Sequence, residues 1–321
     1  MSKKIKAWLI IGASLILVGC IIFGGVMSVL KWDFKKLSTV KLETNNYEEA
    51  QEFNSILIET NTADITFKRS DDGVCRVTCY EETKLKHSVS VTDGSLEIKL
   101  EDTRKWYDHI GFFAFSSPKI TVSLPKTEYA DLVIRASTGK VEIPKDFKFE
   151  NVETTVSTGD VNFLASASEG VKIKTSTGDI NIGDMSAESL ELSVSTGKIT
   201  ANGIACNGEF KVGVSTGRAR LTDITCKSIT SSGNTGDIFL ENVLVTEKLS
   251  IRRSTGDVSL VKCDAAELWI KTDTGDVKGS LLSEKVFITQ SDTGSIKVPK
   301  TTNGGKCEIT TDTGDIKIEI E

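Results

Sequence analysis

From residue 132 onward, short bursts of alternating apolar and polar side chains recur at a fixed interval. Ten Thr-Gly pairs mark the interval. They end at Gly139, Gly159, Gly178, Gly197, Gly217, Gly236, Gly256, Gly275, Gly294 and Gly314, in steps of 19 or 20 residues. With each Gly as position zero, position +2 is Val141, Val161, Ile180, Ile199, Ala219, Ile238, Val258, Val277, Ile296 and Ile316. Position +4 is mostly apolar too, with Ala201 and Gly279 as exceptions, and position +3 between them is polar except at Phe239. Positions −7 and −5 are again apolar, as in Leu190 with Leu192 and Leu268 with Ile270. Alternation with period two is the signature of a half-buried strand. Each unit therefore reads as two short strands joined by a Thr-Gly corner, where Gly supplies a backbone conformation closed to residues with a Cβ. No helix fits beside two strands in so short a unit. A fixed short period implies that each repeat stacks on the last, strand on equivalent strand. The predicted fold is all-β: a parallel β-solenoid of about ten coils, right-handed by default, forming a rod on the order of 50 Å long.

The chain before the repeats divides into four parts. Residues 1–6 are a short basic tail, and residues 7–30 are uncharged and strongly apolar, long enough for one transmembrane helix. Three lysines precede this run (Lys3, Lys4, Lys6) and three follow it (Lys31, Lys35, Lys36), so flanking charge is tied. The short tail before the first apolar run places the bulk of the chain outside the cytoplasm. A cleaved signal peptide is disfavoured because no small-x-small site follows the run. Leu17-Val18-Gly19-Cys20 resembles a bacterial lipobox, but Ile21, Ile22 and Phe23 continue the apolar run past Cys20. Residues 31–52 read as a polar juxtamembrane linker. Residues 53–131 read as divergent first coils and a cap, which a solenoid needs to cover its open end. Within them Thr62-Ala63-Asp64-Ile65 looks like a worn copy of Thr-Gly-Asp-Ile, and residues 102–117 gather Trp106, Tyr107, Phe112, Phe113 and Phe115, as a cap or a contact surface.

The segments Phe53–Phe67, Ser95–Leu100 and Lys119–Pro125, together with the run of Ser-Thr-Gly-Asp corners, resemble the bacterial β-strand-repeat family provisionally labelled adhesins. That family includes membrane-anchored, LiaG-like members of cell-envelope stress operons. The resemblance covers about residues 53–321. It implies an all-β solenoid tethered to a bacterial membrane, with no catalytic residues to carry over.

Charge and chemistry narrow the function further. The net charge is −6, and without the six lysines and one aspartate of the first 36 residues it is −11. An acidic rod is not built for nucleic acid, which calls for a basic face. The corners carry Asp160, Asp179, Asp237, Asp257, Asp276 and Asp315 at +1, and Asp273, Asp292 and Asp312 at −2. Stacked carboxylates are calcium-ligand chemistry. Lys140, Lys198 and Arg218 interrupt the column, however, and Ser, Thr and Asp at a turn cap backbone donors. Calcium is therefore disfavoured, and no metal or cofactor is assigned. The seven cysteines (20, 75, 79, 206, 226, 263, 307) are odd in number and scattered, with no disulfide framework and no Cys/His metal spacing. Cys206 and Cys226 fall in one inward column at +9, as stacked neighbours better packed reduced than bridged. Neither His87 nor His109 sits in a catalytic motif, so no catalytic residue is assigned. The function expected is a membrane-tethered, non-enzymatic binding or scaffold module at the bacterial envelope, meeting an envelope protein or a cell-surface polymer. The alternatives are a regulatory component of an envelope-stress response and, behind it, a carbohydrate-active β-helix using paired carboxylates.

Overall fold

A computed structural model of the protein describes residues 3–33, 41–104 and 117–321. The aromatic residues 106–115 and His109 lie outside the described residues. The chain is mostly strand, wound as a β-solenoid after one N-terminal helix. The helix, Lys3–Val29, holds an 18-residue stretch of mean hydropathy 2.6 with no buried residue, and only Met27 near its C-terminal end is buried among its described side chains. It ends where Lys31 and Trp32 turn to positive φ and Trp32 N–H closes on the Met27 carbonyl at 2.8 Å.

The coils pair in parallel and in the register that the corners dictate: Val161 on Ile180, Ile180 on Ile199, Thr158 on Thr177. Every +2 residue from Val141 to Val277, and Ile316, is buried, so the interior is a stack of identical rows. Parallel strands need this burial on their inner face, and identical rows satisfy it coil after coil. Phe239, the outward exception, lies under the Arg220 guanidinium of the preceding coil at 4.2 Å, a cation–π contact at the same position of the repeat. The Thr-Gly corner is one of three. A second lies at +6, where Asp184, Gly203, Asp223, Asn242 and Lys262 all adopt left-handed φ between 51° and 65°. Asn and Asp tolerate that region better than other residues with a Cβ. The third absorbs length variation. The extra residue of the 20-residue step between Gly236 and Gly256 bulges out between Val245 and Lys248.

The stacking order departs from the expectation that each repeat lies on the last. Gly305–Thr313 pairs with Leu268–Thr274 on one side and with Lys285–Thr293 on the other. Ile316–Ile320 lies likewise between Val277–Leu281 and Ile296–Lys297. The last coil in sequence is thus the penultimate coil in space. The N-terminal end shows the same plait: Ser55–Thr62 lies between Ser95–Asp102 and Glu128–Thr138. The worn corner is real, because Thr62 pairs with Thr138 and Ala63 takes the place of the corner Gly. An ion pair between buried Lys285 and half-buried Asp264 secures the C-terminal plait. Lys285 Nζ lies 2.6 Å from Asp264 Oδ1 and donates to Ser283 Oγ at 2.6 Å. Burial alone would raise the Asp264 carboxyl, but the Lys285 and Ser283 bonds leave it below the ordinary carboxylate value.

Toward the N-terminus the parallel coils give way to antiparallel strands arranged in two arms. One runs from Ser55–Thr62 through Ser95–Asp102 to Leu85–Thr92; the other runs from Asp64–Arg69 through Lys119–Leu124 and Cys75–Glu82 to Leu42–Glu49. The last of these strands falls in the segment read as linker. Its inward positions are Glu43, Asn45, Tyr47 and Glu49, too polar for the alternation to show, and it is pairing with Cys75–Glu82 that makes it a strand. Among the described residues, three aromatics line one side of the first coils, with Phe53 stacked on Tyr129 at 5.7 Å and Tyr129 on Phe149 at 6.3 Å.

Candidate functional site

Three features have the chemistry to act: the corner column, a groove on one outer face, and a buried polar cluster in the cap.

At the corner column the aspartates face backbone. Asp160 Oδ1 accepts from Asp179 N–H and Asp179 Oδ1 from Lys198 N–H, each at 2.8 Å. The pattern recurs from Asp237 through Asp257 and Asp276 to Asp315, and even Asp64 of the worn corner accepts from Lys140 N–H. A second hydroxyl ladder caps the glycine carbonyls: Thr175 donates to Gly159 O, Thr272 to Gly256 O and Thr311 to Gly275 O, each at 3.1 Å. One carboxylate oxygen at each of these corners thus satisfies a backbone donor of the next coil, the capping role read from Ser, Thr and Asp in the sequence. Lys278 takes the other oxygen of Asp276 at 2.6 Å, and together with the Asp315 N–H it holds that carboxyl below its usual value.

The groove crosses five coils on the face built by positions −8 and −6. Its volume is about 550 Å³. Gly170 and Ser189 form a low floor, with Asp131 and Asn151 at one end and Glu209 and Lys211 at the other. Charges beside it are paired across coils, Lys172 with Glu153 at 3.1 Å and Lys174 with Glu191 at 2.7 Å. Exposed pairs of this kind add little stability; what they give the face is a regular alternation of sign along the rod.

The cluster lies between the two arms of the cap. Glu81 Oε2 accepts from His87 Nδ1 at 2.6 Å and from His87 N–H at 2.8 Å, while Asn45 Nδ2 donates to Oε1 at 2.7 Å. Thr60 Oγ1 lies 2.8 Å from His87 Nε2, and Tyr47 O–H donates to the His87 carbonyl at 2.8 Å. Glu81 and His87 are 1% and 3% exposed, and Cys79 beside them is fully buried. His87 sits in no motif along the chain because its partners come from three other strands. The legible signal is a Glu and a His at inward positions of a hairpin. The solenoid itself encloses a guanidinium. Arg253 fills the space above Gly233, donates to Ser231 Oγ at 2.8 Å, and burial draws its guanidinium down to about 10.

The cysteines stand where the inward rows put them. Cys206 and Cys226 share the buried +9 column with Ala187, Val245 and Ala265, and all seven cysteines are free thiols.

A stacked-coil scaffold with Thr-Gly corners, an antiparallel cap and an N-terminal apolar helix defines the class. The chain belongs to the Toastrack DUF4097 family, whose pattern matches residues 53–209 and 205–321. No curated protein matches it. Among solved structures, it is similar to a protein from Parabacteroides distasonis ATCC 8503 provisionally named lipid binding. The two are 15% identical over 88% of this chain and 98% of the other, with a TM-score of 0.47. It is also similar to a protein from Bacteroides fragilis NCTC 9343 provisionally named an adhesin, 17% identical over 87% of this chain and 97% of the other, with a TM-score of 0.40. Neither name transfers to this chain at such distances.

Proposed function

We propose that the protein is a membrane-tethered, non-enzymatic binding module of the bacterial cell envelope that holds an extended, polar cell-surface polymer along its outer face. The groove over Asp131–Lys211 carries this reading. It is open and crosses five coils, its lining is mixed polar and apolar, and it is floored by small residues and flanked by charges of alternating sign, which suits a chain of repeating polar units more than a compact small molecule. The apolar helix Lys4–Val29 supplies the tether, and the chain enters the solenoid domain through the cap strand Leu42–Glu49, at the end opposite the last coils. The plaited ends keep the rod rigid, so a polymer meets a surface already ordered.

The reading is tested with full-length protein in detergent micelles mixed with purified bacterial cell-wall sacculi. Wild-type protein is expected to sediment with the sacculi. Gly170→Arg raises the groove floor, where an added Cβ would meet only the Ser189 hydroxyl at 3.3 Å and the Asn151 side chain at 3.6 Å. It should weaken retention about tenfold, equivalent to about 1.4 kcal/mol, with an unchanged melting temperature. Absence of retention in the wild type, or equal retention of Gly170→Arg, contradicts the proposal.

A further inference from the structure

Glu81 is the only buried carboxylate among the described residues, and no lysine or arginine reaches it by a hydrogen bond. Hydrogen bonds offset part of the cost of burying it, and the His87 imidazole at 2.6 Å is a counter-charge only when protonated, so a bound cation would supply one without that proton. The side chains beside it are suited to supply one by binding it. Cys79, Glu81 and His87 each place a potential ligand atom within 4.8 Å of the other two, and all three residues are buried. We propose that these three residues bind one divalent cation of the zinc class.

Sulfur, nitrogen and oxygen ligands together select a borderline-soft ion over calcium or magnesium, which take oxygen alone. Charge closes the argument. A thiolate, a carboxylate and a neutral imidazole carry two negative charges, so a divalent ion makes the buried site neutral. The metal-free Cys79 is buried beside a carboxylate, surroundings that disfavour a thiolate. On binding, the S–H bond breaks, the sulfur pair forms the metal–sulfur bond, and the proton passes to solvent. Tetrahedral ligands at 2.0–2.3 Å from a zinc ion stand about 3.3–3.8 Å apart. The cluster therefore tightens by no more than about 1.5 Å at its widest. The Glu81–His87 contact at 2.6 Å is shorter than two ligands of one ion stand, so binding exchanges that hydrogen bond for two bonds to the metal. Thr60 Oγ1 holds the opposite ring nitrogen, 2.8 Å from His87 Nε2, and so orients the imidazole with Nδ1 toward the ion, leaving the fourth position to water.

Two buried cysteines elsewhere behave differently. Cys206 and Cys263 donate to backbone carbonyls at 3.4–3.6 Å, the ordinary fate of a core thiol. The site also involves the strand that leads from the membrane helix. Asn45 binds the Glu81 carboxylate and Tyr47 the His87 carbonyl, so Leu42–Glu49 is held to the cap through the same residues that would hold the ion. The ligands follow Cys-x-Glu-x5-His along a hairpin, a spacing outside the familiar Cys/His signatures.

Cobalt(II) is the probe, added to full-length protein in detergent and, in a second preparation, kept present throughout refolding. Wild type should develop a sulfur-to-cobalt charge-transfer band that saturates at one equivalent, releases one proton per ion, yields to zinc and ignores calcium. Cys79→Ser should abolish the band, Cys206→Ser should keep it, and His87→Gln should weaken binding at least about a hundredfold. Hydrogen exchange across Leu42–Glu49 should slow in wild type when zinc is added. No band in either wild-type preparation, a band that survives Cys79→Ser, or equal affinity in His87→Gln overturns the assignment.

Discussion

Replacing Gly217 with alanine is expected to destabilise the protein by at least about 4 kcal/mol, or to prevent folding. Two independent costs meet at this atom. The backbone of Gly217 sits at φ +134°, a region that L side chains rarely adopt. An added Cβ would stand 1.8 Å from the Gly197 carbonyl oxygen and 2.8 Å from its carbon, both backbone atoms of the coil beneath. Neither can rotate aside as a side chain would, and relief requires two coils to part. The column offers no slack above either, since Gly236 would bring its own Cβ within 1.5 Å of the Gly217 oxygen. Gly213→Ala is the matched control: its Cβ would approach nothing nearer than the Ser193 hydroxyl at 3.4 Å, an ordinary contact, and its φ lies outside the left-handed region. The control should cost less than about 1 kcal/mol. For a domain of this size, thermal melts should separate the pair by about 10 °C. Equal melting temperatures would mean that the corners do not stack as described.

The second large effect is expected at Ile180→Asp. Ile180 is fully buried between Val161 and Ile199, in a row with no polar partner among its register neighbours. An unpaired carboxylate there should cost about 4 kcal/mol at neutral pH. Burial raises the pKa of such a group in the folded state above its unfolded value of about 3.9, so the folded form binds the proton more tightly. The deficit relative to wild type is therefore largest at neutral pH and shrinks as pH falls toward 4. Asn181→Asp, one residue further on, is milder. It removes the donor that Asn181 Nδ2 gives to Asn162 Oδ1 at 3.0 Å, a loss of about 1 kcal/mol with no burial cost. Denaturant titrations of both variants at pH 4.5 and 7.5 measure the contrast, and equal losses at pH 7.5 would refute the inward and outward rows.

What could be read from the chain was whatever repeats. The inward rows at +2, +4, −7 and −5 and the Thr-Gly corner recur so often that period and register follow from spacing alone, and parallel pairing follows from the absence of room for anything else. The second corner at +6 was equally periodic but is occupied by Asp, Gly, Asn and Lys, so no single residue type announces it. The plait was not legible at all. The coil holding Gly294 and the coil holding Gly314 carry the same Thr-Gly corner, and the inward difference that fits the outer place is slight, Thr289 at −5 where the other coil has buried Ile309; the Lys285–Asp264 pair ties the outer coil across its neighbour. Leu42–Glu49 was hidden for the opposite reason: its inward residues are polar, and the cap strand beside it and the buried cluster give it its place. The cluster itself escaped the sequence because Thr60, Cys79, Glu81 and His87 are brought together by antiparallel arms that follow no repeat. Among the candidate site residues, the +1 aspartates were found where expected, accepting backbone donors, whereas Asp292 at −2 accepts from the Gln290 side chain. The groove arises only once equivalent outward positions from five coils are stacked into one face.

Everything described rests on coils that stack by corner and not by order in sequence, and cross-linking at the C-terminal plait tests this most directly. Lys278, Lys317 and Lys297 are exposed at the same position of three coils, with Lys317 in register between the other two. Neighbouring coils bring equivalent Cα atoms to about 4.8 Å, within reach of a disulfide, and coils two apart to about 9.6 Å, beyond it. Cysteine pairs are introduced at 278 with 317, 297 with 317, and 278 with 297, then oxidised mildly and mapped by peptide mass spectrometry. The account predicts that the first two pairs bridge and the third does not. Bridging of 278 with 297 while 278 with 317 stays reduced would place the coils in sequence order and contradict it.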